Sequence, residues 1–247
     1  SELATYCLTV GAEEREQPQR FPKNVYRTSR YTLLTFLPLN LWEQFRRVAN
    51  TYFLIMTIFQ LFPNVAPLNP IFTIFPFVFI LAVSAIKEAI EDFARYRSDK
   101  RVNNTLVELL RADGSTTRIR SKELRVGQFV VVREGHQFPA DLVALSSSEL
   151  EQRVFVDTAN LDGETGLKTF GCLSVPQTSS TRDFSDEWAA LHRRFANATI
   201  TCEQPSEQLG EFSGQIKLAG RADPHSIRFR NLLLRGCTMR GTDWAVG

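Results

Sequence analysis

The sequence lacks most of what small metal-holding or disulfide-stapled domains depend on. Its four cysteines, Cys7, Cys172, Cys202 and Cys237, are scattered without a Cys-x-x-Cys pair. That spacing excludes a zinc framework and a dense disulfide scaffold, and fits reduced thiols facing a cytosol. No Asp-x-Asp-x-Asp-Gly loop occurs, so a calcium loop of that kind is not expected. Neither sign of charge dominates: 29 Lys and Arg against 27 Asp and Glu leave a net charge of +2. Such a balance supplies no bulk field for nucleic acid, and no nucleic-acid partner is expected. No basic-then-apolar leader follows Ser1, so no cleavable signal peptide is expected. The last residues, Asp243 to Gly247, carry no stop-like feature, from which we expect a truncated end. There is no internal repeat and no low-complexity tract.

The longest absence is of charge itself. From Val48 to Ile86 no Asp, Glu, Lys or Arg occurs, a run of 39 residues. One bilayer span needs about 20 apolar residues, so the run is too long for one helix and suits two. Residues 63–70 hold three prolines and two asparagines, which is turn chemistry. The sequence therefore predicts a helical transmembrane hairpin, Val48 to Phe62 and Ile71 to Ile86. A buried hairpin in a soluble protein is the blander alternative. Arg46, Arg47, Lys87, Arg95 and Arg97 flank the two outer ends, while the turn carries no basic residue. The positive-inside rule then puts both ends in the cytosol and the turn on the exoplasmic side. Aromatic and basic residues mix from Phe21 to Arg27 and again at Arg30, Tyr31 and Trp42, as suits the headgroup level. Residues 1 to about 20 are polar and are expected to form a flexible cytosolic tail. Beyond the second span, Ile86, Ile90, Phe93 and Arg97 keep helical spacing, and Glu91 precedes Arg95 by one turn. Lys87 to about Asn103 is thus predicted to be a stalk leading out of the membrane.

After Asn104 the period changes to that of strands. Short runs at Thr105 to Arg111, Thr116 to Arg120, Phe129 to Val132, Leu142 to Leu145 and Arg153 to Val156 argue for a compact mainly-β domain, a barrel or jelly-roll-like sandwich. Residues 173–210 are polar and less regular, apart from a helix expected over Asp183 to Ala196 with Trp188, Leu191 and Phe195 on one face. Ile216 to Leu218 and Ile227 to Leu234 read as closing strands. The predicted organisation is a cytosolic tail over 1–30, a membrane hairpin with its interfacial entry and stalk over 31–103, and a cytosolic β domain over 104–247.

One turn concentrates chemistry. Asp162-Gly163-Glu164-Thr165 places two carboxylates, a flexible backbone position and a hydroxyl within four residues. It can be a plain strand connection in which Asp162-Gly163 makes a tight turn and Glu164 is solvated. It can equally let backbone at Gly163 approach a phosphoryl group, with Glu164 orienting or deprotonating a water and Thr165 adding a hydrogen bond. The second reading needs a cation, and none is evident from the sequence.

These features fall together in a wider resemblance. Pro38-Leu39-Asn40-Leu41-Trp42-Glu43-Gln44-Phe45, Lys87-Glu88-Ala89-Ile90-Glu91-Asp92, Ser98-Asp99-Lys100, Phe138-Pro139-Ala140-Asp141-Leu142, Asn160 to Thr165 and Asn231 to Cys237 resemble the type IV P-type ATPases, the phospholipid flippases. The resemblance runs from about residue 21 to the end. Ion-pumping relatives usually carry Thr-Gly-Glu-Ser where this chain has Asp162 to Thr165, so the variant favours lipid transport. The resemblance implies that the β domain is an actuator domain with a distorted jelly-roll core. Glu164 then matches the glutamate that promotes aspartyl-phosphate hydrolysis, with Asp162, Gly163 and Thr165 in support. Gln60-Leu61 falls where relatives preferring phosphatidylserine often carry two glutamines; Gln60 matches and Leu61 does not. Gly166 and Gln128 depart from the family's common Asn and Asp. The family's Asp-Lys-Thr-Gly-Thr phosphorylation motif is absent from the chain. ATP and Mg2+ are thus implied only for a full-length protein, and this segment alone is expected to be inactive. Implied partners are a phospholipid such as phosphatidylserine or phosphatidylethanolamine, the membrane, and an accessory two-span β-subunit. The implied location is the Golgi, endosomal or plasma membrane. A non-catalytic, membrane-anchored interaction or lipid-sensing module, alone or fused to another catalytic domain, is the alternative.

Overall fold

The computed structural model describes residues 5–12, 16–62, 71–173, 184–204, 210–221 and 223–247. The chain divides into two compact units, one of residues 26–102 and one of residues 1–25 with 103–247.

The first unit is helical: α1 (Phe36–Phe45), α2 (Val48–Gln60) and α3 (Ile71–Asn103). Pro38 falls in the first turn of α1, where its missing N–H costs nothing. Asn40 and Gln44 lie one turn apart on its buried face, and Gln44 Nε2 donates to Asn40 Oδ1 at 2.7 Å and to the Leu81 carbonyl of α3 at 3.3 Å. The next helix adds side-chain donors to the last carbonyls of α1. Asn50 Nδ2 donates to the Gln44 carbonyl at 2.9 Å and Thr51 Oγ1 to that of Phe45 at 2.5 Å. Phe53 of α2 meets Phe77 of α3 with ring centroids 6.3 Å apart. α3 runs unbroken for 33 residues despite Pro76, so the stalk expected over Lys87 to Asn103 continues the apolar helix ahead of it.

Among the described residues, no helix is long and apolar enough to cross a membrane. α2 has 13 residues and ends at Gln60, short of the Phe62 expected from the sequence, which gives a rise of about 20 Å. The expected exoplasmic turn, 63–70, lies outside the described residues. The fold therefore establishes the helices but not the transmembrane hairpin.

The second unit is mainly β, as expected. Its strands in chain order are β1 (Thr5–Thr9), β2 (Leu106–Leu110), β3 (Thr116–Arg120), β4 (Val130–Arg133), β5 (Leu142–Val143), β6 (Ser146–Ser147) and β7 (Arg153–Asp157). There follow β8 (Leu167–Gly171), β9 (Thr199–Glu203), β10 (Ser213–Lys217), β11 (His225–Arg228), β12 (Leu232–Leu233), β13 (Thr238–Met239) and β14 (Trp244–Val246). Among the described residues it also holds one helical turn, α4 (Ala159–Asp162), one helix, α5 (Phe184–Phe195), and 3-10 turns at Ser121–Glu123 and Phe229–Asn231. The strands form sheets ordered β3-β2-β4-β14-β6, β1-β9-β10-β11, β13-β7-β8 and β12-β5.

The five-stranded sheet is the middle layer. Phe129 to Val132 is apolar at every position because β4 is buried on both faces, a pattern that alternation alone does not reveal. Val131, Trp244 and Val246 enter one core with Ile200, Ile216 and Ile227 of the four-stranded sheet and with Phe195 of α5. Val130, Val132 and Ala245 point the other way, into a second core with Val154, Val156 and Phe170 of β7 and β8. α5 closes the first core through Trp188, whose ring meets Trp244 edge-on at 5.6 Å.

Three expectations fail here. The supposed tail over residues 1–30 is not free: β1 pairs antiparallel with β9 from Thr5↔Glu203 to Thr9↔Thr199. Tyr6, Leu8 and Val10 alternate along it, and Val10 is buried, but polar neighbours mask this short period. Gln17 fixes the segment by accepting from Thr9 N at 2.9 Å and donating to the Thr9 carbonyl at 2.7 Å. The irregular stretch 173–210 contains β9, a central strand of that sheet. The closing strand expected over Ile227 to Leu234 is broken by a 3-10 turn at Phe229–Asn231, where Asn231 accepts from Arg228 N at 3.1 Å and donates to the Gly171 carbonyl at 2.8 Å.

Ile216 is fully buried where β10 meets α5 and the middle sheet. Ile216→Ala is expected to destabilise the β unit by about 2–5 kcal/mol and Ile216→Val by about 0.5–1.5 kcal/mol, read as a shift in denaturant midpoint.

Candidate functional site

The acidic turn joins β7 to β8, an antiparallel pair in register from Arg153↔Gly171 to Asp157↔Leu167. The inward residues Val154, Val156 and Phe170 pin both strands to the second core, so the turn is carried on a rigid base. The connection is not a two-residue hairpin turn. Asp157 Oδ1 accepts from Ala159 N at 3.0 Å and starts the single helical turn of α4. Gly163 then ends that turn in the left-handed conformation at φ +75°, with no neighbour within 4 Å of where a Cβ would stand.

Asp162 ties the turn together. Its Oδ1 accepts from Glu164 N at 2.9 Å, and its Oδ2 accepts from the buried Thr158 hydroxyl at 2.9 Å and from Lys168 Nζ at 2.7 Å. The same Nζ lies 2.9 Å from Glu164 Oε2. The Lys168 ammonium, then the Glu164 amide and the Thr158 hydroxyl, pull the Asp162 carboxyl down to about 2. Reciprocally, Asp162 and then Glu164 hold the Lys168 ammonium above its ordinary value. Two carboxylates this close would repel without Lys168 between them. Lys168 thus places a cation within the turn, shared by both carboxylates. Its signal was visible as a Glu followed by a Lys four positions on, but that spacing is read as a pair only on a helix, and these residues lie beyond one.

Glu164 and Asp162 play different parts. Asp162 spends its oxygens inside the turn, with 27 % of its side chain exposed, whereas 68 % of the Glu164 side chain faces outward. Thr165 is exposed beside it. The sequence-predicted residues Asp162, Gly163, Glu164 and Thr165 are brought together on one knuckle. Gln60 and Leu61 belong to the other unit, at the last turn of α2. Gln60 Oε1 is buried and finds no hydrogen-bond partner among the described residues, and Leu61 is exposed.

Residues 8–74 match the family described as the phospholipid-translocating ATPase N-terminal region, and residues 101–186, which include the whole turn, match the P-type ATPase actuator domain. The chain belongs to the phospholipid-translocating P-type ATPases. It is 39 % identical over 232 residues to the phospholipid-transporting ATPase tat-1 of Caenorhabditis elegans, covering 94 % of this chain and 19 % of that protein. Human phospholipid-transporting ATPase ID is 38 % identical over 238 residues, covering 96 % of this chain and 19 % of its own length. Mouse phospholipid-transporting ATPase FetA is 37 % identical over 227 residues, covering 92 % and 18 %. The chain thus spans about one fifth of the length of these relatives.

Translocases of this family imply ATP and Mg2+. Among the described residues no three His, Cys, Asp or Glu side chains converge as a metal site, and Asp162 is already engaged by Lys168, Thr158 and the Glu164 amide. The turn as built does not fit a metal ion.

The Asp162 carboxyl is depressed, so its contribution to the turn is fully present above about pH 4, the ordinary carboxylate value, and is lost as pH falls toward 2. Replacing Lys168 with Met should move the Asp162 midpoint upward, read by carboxyl-carbon NMR titration; an unmoved midpoint would refute the link. Gly163→Val should loosen the turn more than Gly163→Asn, since a β-branched residue tolerates positive φ least.

Proposed function

We propose that this chain forms part of an ATP-driven phospholipid translocase, in which Glu164 directs a water onto an aspartyl-phosphate carried elsewhere in the full-length protein. The observation that carries this reading is the division of labour in the turn. Asp162 spends both of its oxygens on the Glu164 amide, the Thr158 hydroxyl and Lys168, which leaves Glu164 as the outward-facing carboxylate able to act as a base. The Lys168 ammonium beside Glu164 offsets the repulsion between that carboxylate and the oxygens of an incoming phosphoryl group. Gly163 presents bare backbone at the point of approach, and the Thr165 hydroxyl adds a donor. ATP and Mg2+ would be held by parts of the translocase beyond these residues.

The helical unit supports a membrane role. α2 buries none of its residues, and Phe72, Phe75 and Phe79 of α3 are all exposed, so these helices present large apolar side chains instead of covering them. We propose that Val48 to Phe62 and Ile71 to Ile86, extended by their flanks, span the bilayer with both ends cytosolic. The Gln60 oxygen at the end of α2, which has no partner among the described residues, is the contact proposed for a phospholipid headgroup, phosphatidylserine or phosphatidylethanolamine, with Leu61 alongside. By family, an accessory two-span subunit and a Golgi, endosomal or plasma-membrane location accompany this reading.

In the full-length translocase, Glu164→Gln should leave phosphoenzyme formation intact and slow its decay by about 100-fold or more, measured by chase of the labelled intermediate. Unchanged decay would sink the role of Glu164. A cysteine in place of Ala66 should react with an impermeant maleimide only from the exoplasmic side, and reaction from the cytosolic side would overturn the hairpin.

A further inference from the structure

Two aspartates on α3 do something the translocase reading leaves unused. Asp92 and Asp99 are seven residues apart, two helical turns or about 10 Å along one face, and both are buried, at 6 % and 5 % exposure. A buried carboxylate is costly unless its oxygens are bonded, and here the donors come from a distant stretch of chain. Asp99 accepts from Thr28 N at 2.8 Å, from the Thr28 hydroxyl at 2.5 Å and from Ser29 N at 2.9 Å. Asp92 accepts from Arg30 N at 2.8 Å and Tyr31 N at 3.2 Å, and is steadied by Arg95 Nε at 3.2 Å. Four consecutive backbone N–H groups, in a stretch with neither helix nor sheet partner, are thus served by two side chains of one helix. The far end is held as well: the Tyr31 hydroxyl donates to Glu43 of α1 at 2.7 Å, and its ring meets Phe36 edge-on at 5.3 Å.

The place of these bonds in the chain gives them meaning. The chain passes between its two units twice, at residues 25–26 and 102–103. Residues 28–31 follow the first passage closely, and Asp99 closely precedes the second. We propose that Asp92 and Asp99 are positioning residues that clamp residues 28–31, which lead into α1, against α3 as one stiff lever, so that α1 and α3 respond together when the actuator domain moves. Burial alone would raise both carboxyls. For Asp92 the Arg30 and Tyr31 amides and Arg95 outweigh it, and for Asp99 the Thr28 hydroxyl and the Thr28 and Ser29 amides do so, leaving both anionic. Their role in transmission rests on the translocase reading; the clamp itself does not.

The test therefore has two arms, both on the full-length protein in lipid. Hydrogen exchange of the Thr28–Tyr31 amides should be at least tenfold faster in Asp92→Asn/Asp99→Asn than in the parent protein, and equal rates would overturn the clamp. In the second arm the double variant should still form phosphoenzyme from ATP, which shows it folded, but lose the acceleration of decay by phospholipid. Retained acceleration with freed amides would overturn the lever. If the double variant does not fold, Thr28→Val removes only the hydroxyl bond to Asp99 and should give a smaller loss of the same acceleration. A parent protein that forms no phosphoenzyme at all counts against the translocase reading, and the exchange arm then decides the clamp alone.

Discussion

The fold of the actuator domain depends on one constraint, the burial of its middle sheet on both faces. Because successive side chains of a strand point to opposite sides, β4 and β14 feed two cores at once: Val131, Trp244 and Val246 to one side, Val130, Val132 and Ala245 to the other. Everything peripheral is fastened to one of these cores. The four-stranded sheet and α5 close the first. β7 and β8 close the second, and with it they fix the base from which the acidic turn projects. A loosened second core would leave the turn's bonds intact and its direction undefined.

Within the turn, charge rather than packing sets the geometry. One carboxylate is consumed to present another: Asp162 gathers an amide, a hydroxyl and an ammonium, and Glu164 emerges outward as a result. The ion pair between Lys168 and Glu164 is exposed and contributes little to stability, as surface pairs generally do. Its consequence is electrostatic, since it places one cation between two carboxylates. The helical unit uses carboxylates in the opposite way. Asp92 and Asp99 are buried acceptors for main-chain donors, and their effect is mechanical.

Much of this was legible in the sequence, and the exceptions have physical reasons. The 39-residue charge-free run marked the apolar helices α2 and α3, because a long stretch without charge leaves few other options. The hairpin of β2 and β3 was marked by Asp113-Gly114-Ser115, where Asp113 Oδ1 accepts from both Ser115 N and Ser115 Oγ, and Gly114 takes positive φ. β1 was missed because its partner, β9, lies about 190 residues away, and a five-residue alternation among polar neighbours carries little signal. Lys168 was overlooked for a related reason: its distances to Asp162 and Glu164 depend on how α4 winds and where Gly163 turns.

The sequence by itself determined the kinds of element and the chemistry available: two apolar helices, a β domain, and two carboxylates with a glycine and a hydroxyl at Asp162 to Thr165. These follow from periodicity, composition and local turn propensity, all of which act over a few residues. Only the tertiary structure decided which side chains those groups meet. That the N-terminal segment is a strand, that Lys168 sits between two carboxylates, and that Asp92 and Asp99 hold residues 28–31 all depend on contacts across long stretches of chain. The free energy of such contacts comes from burial and geometry at the meeting point, and neither exists until the chain has folded.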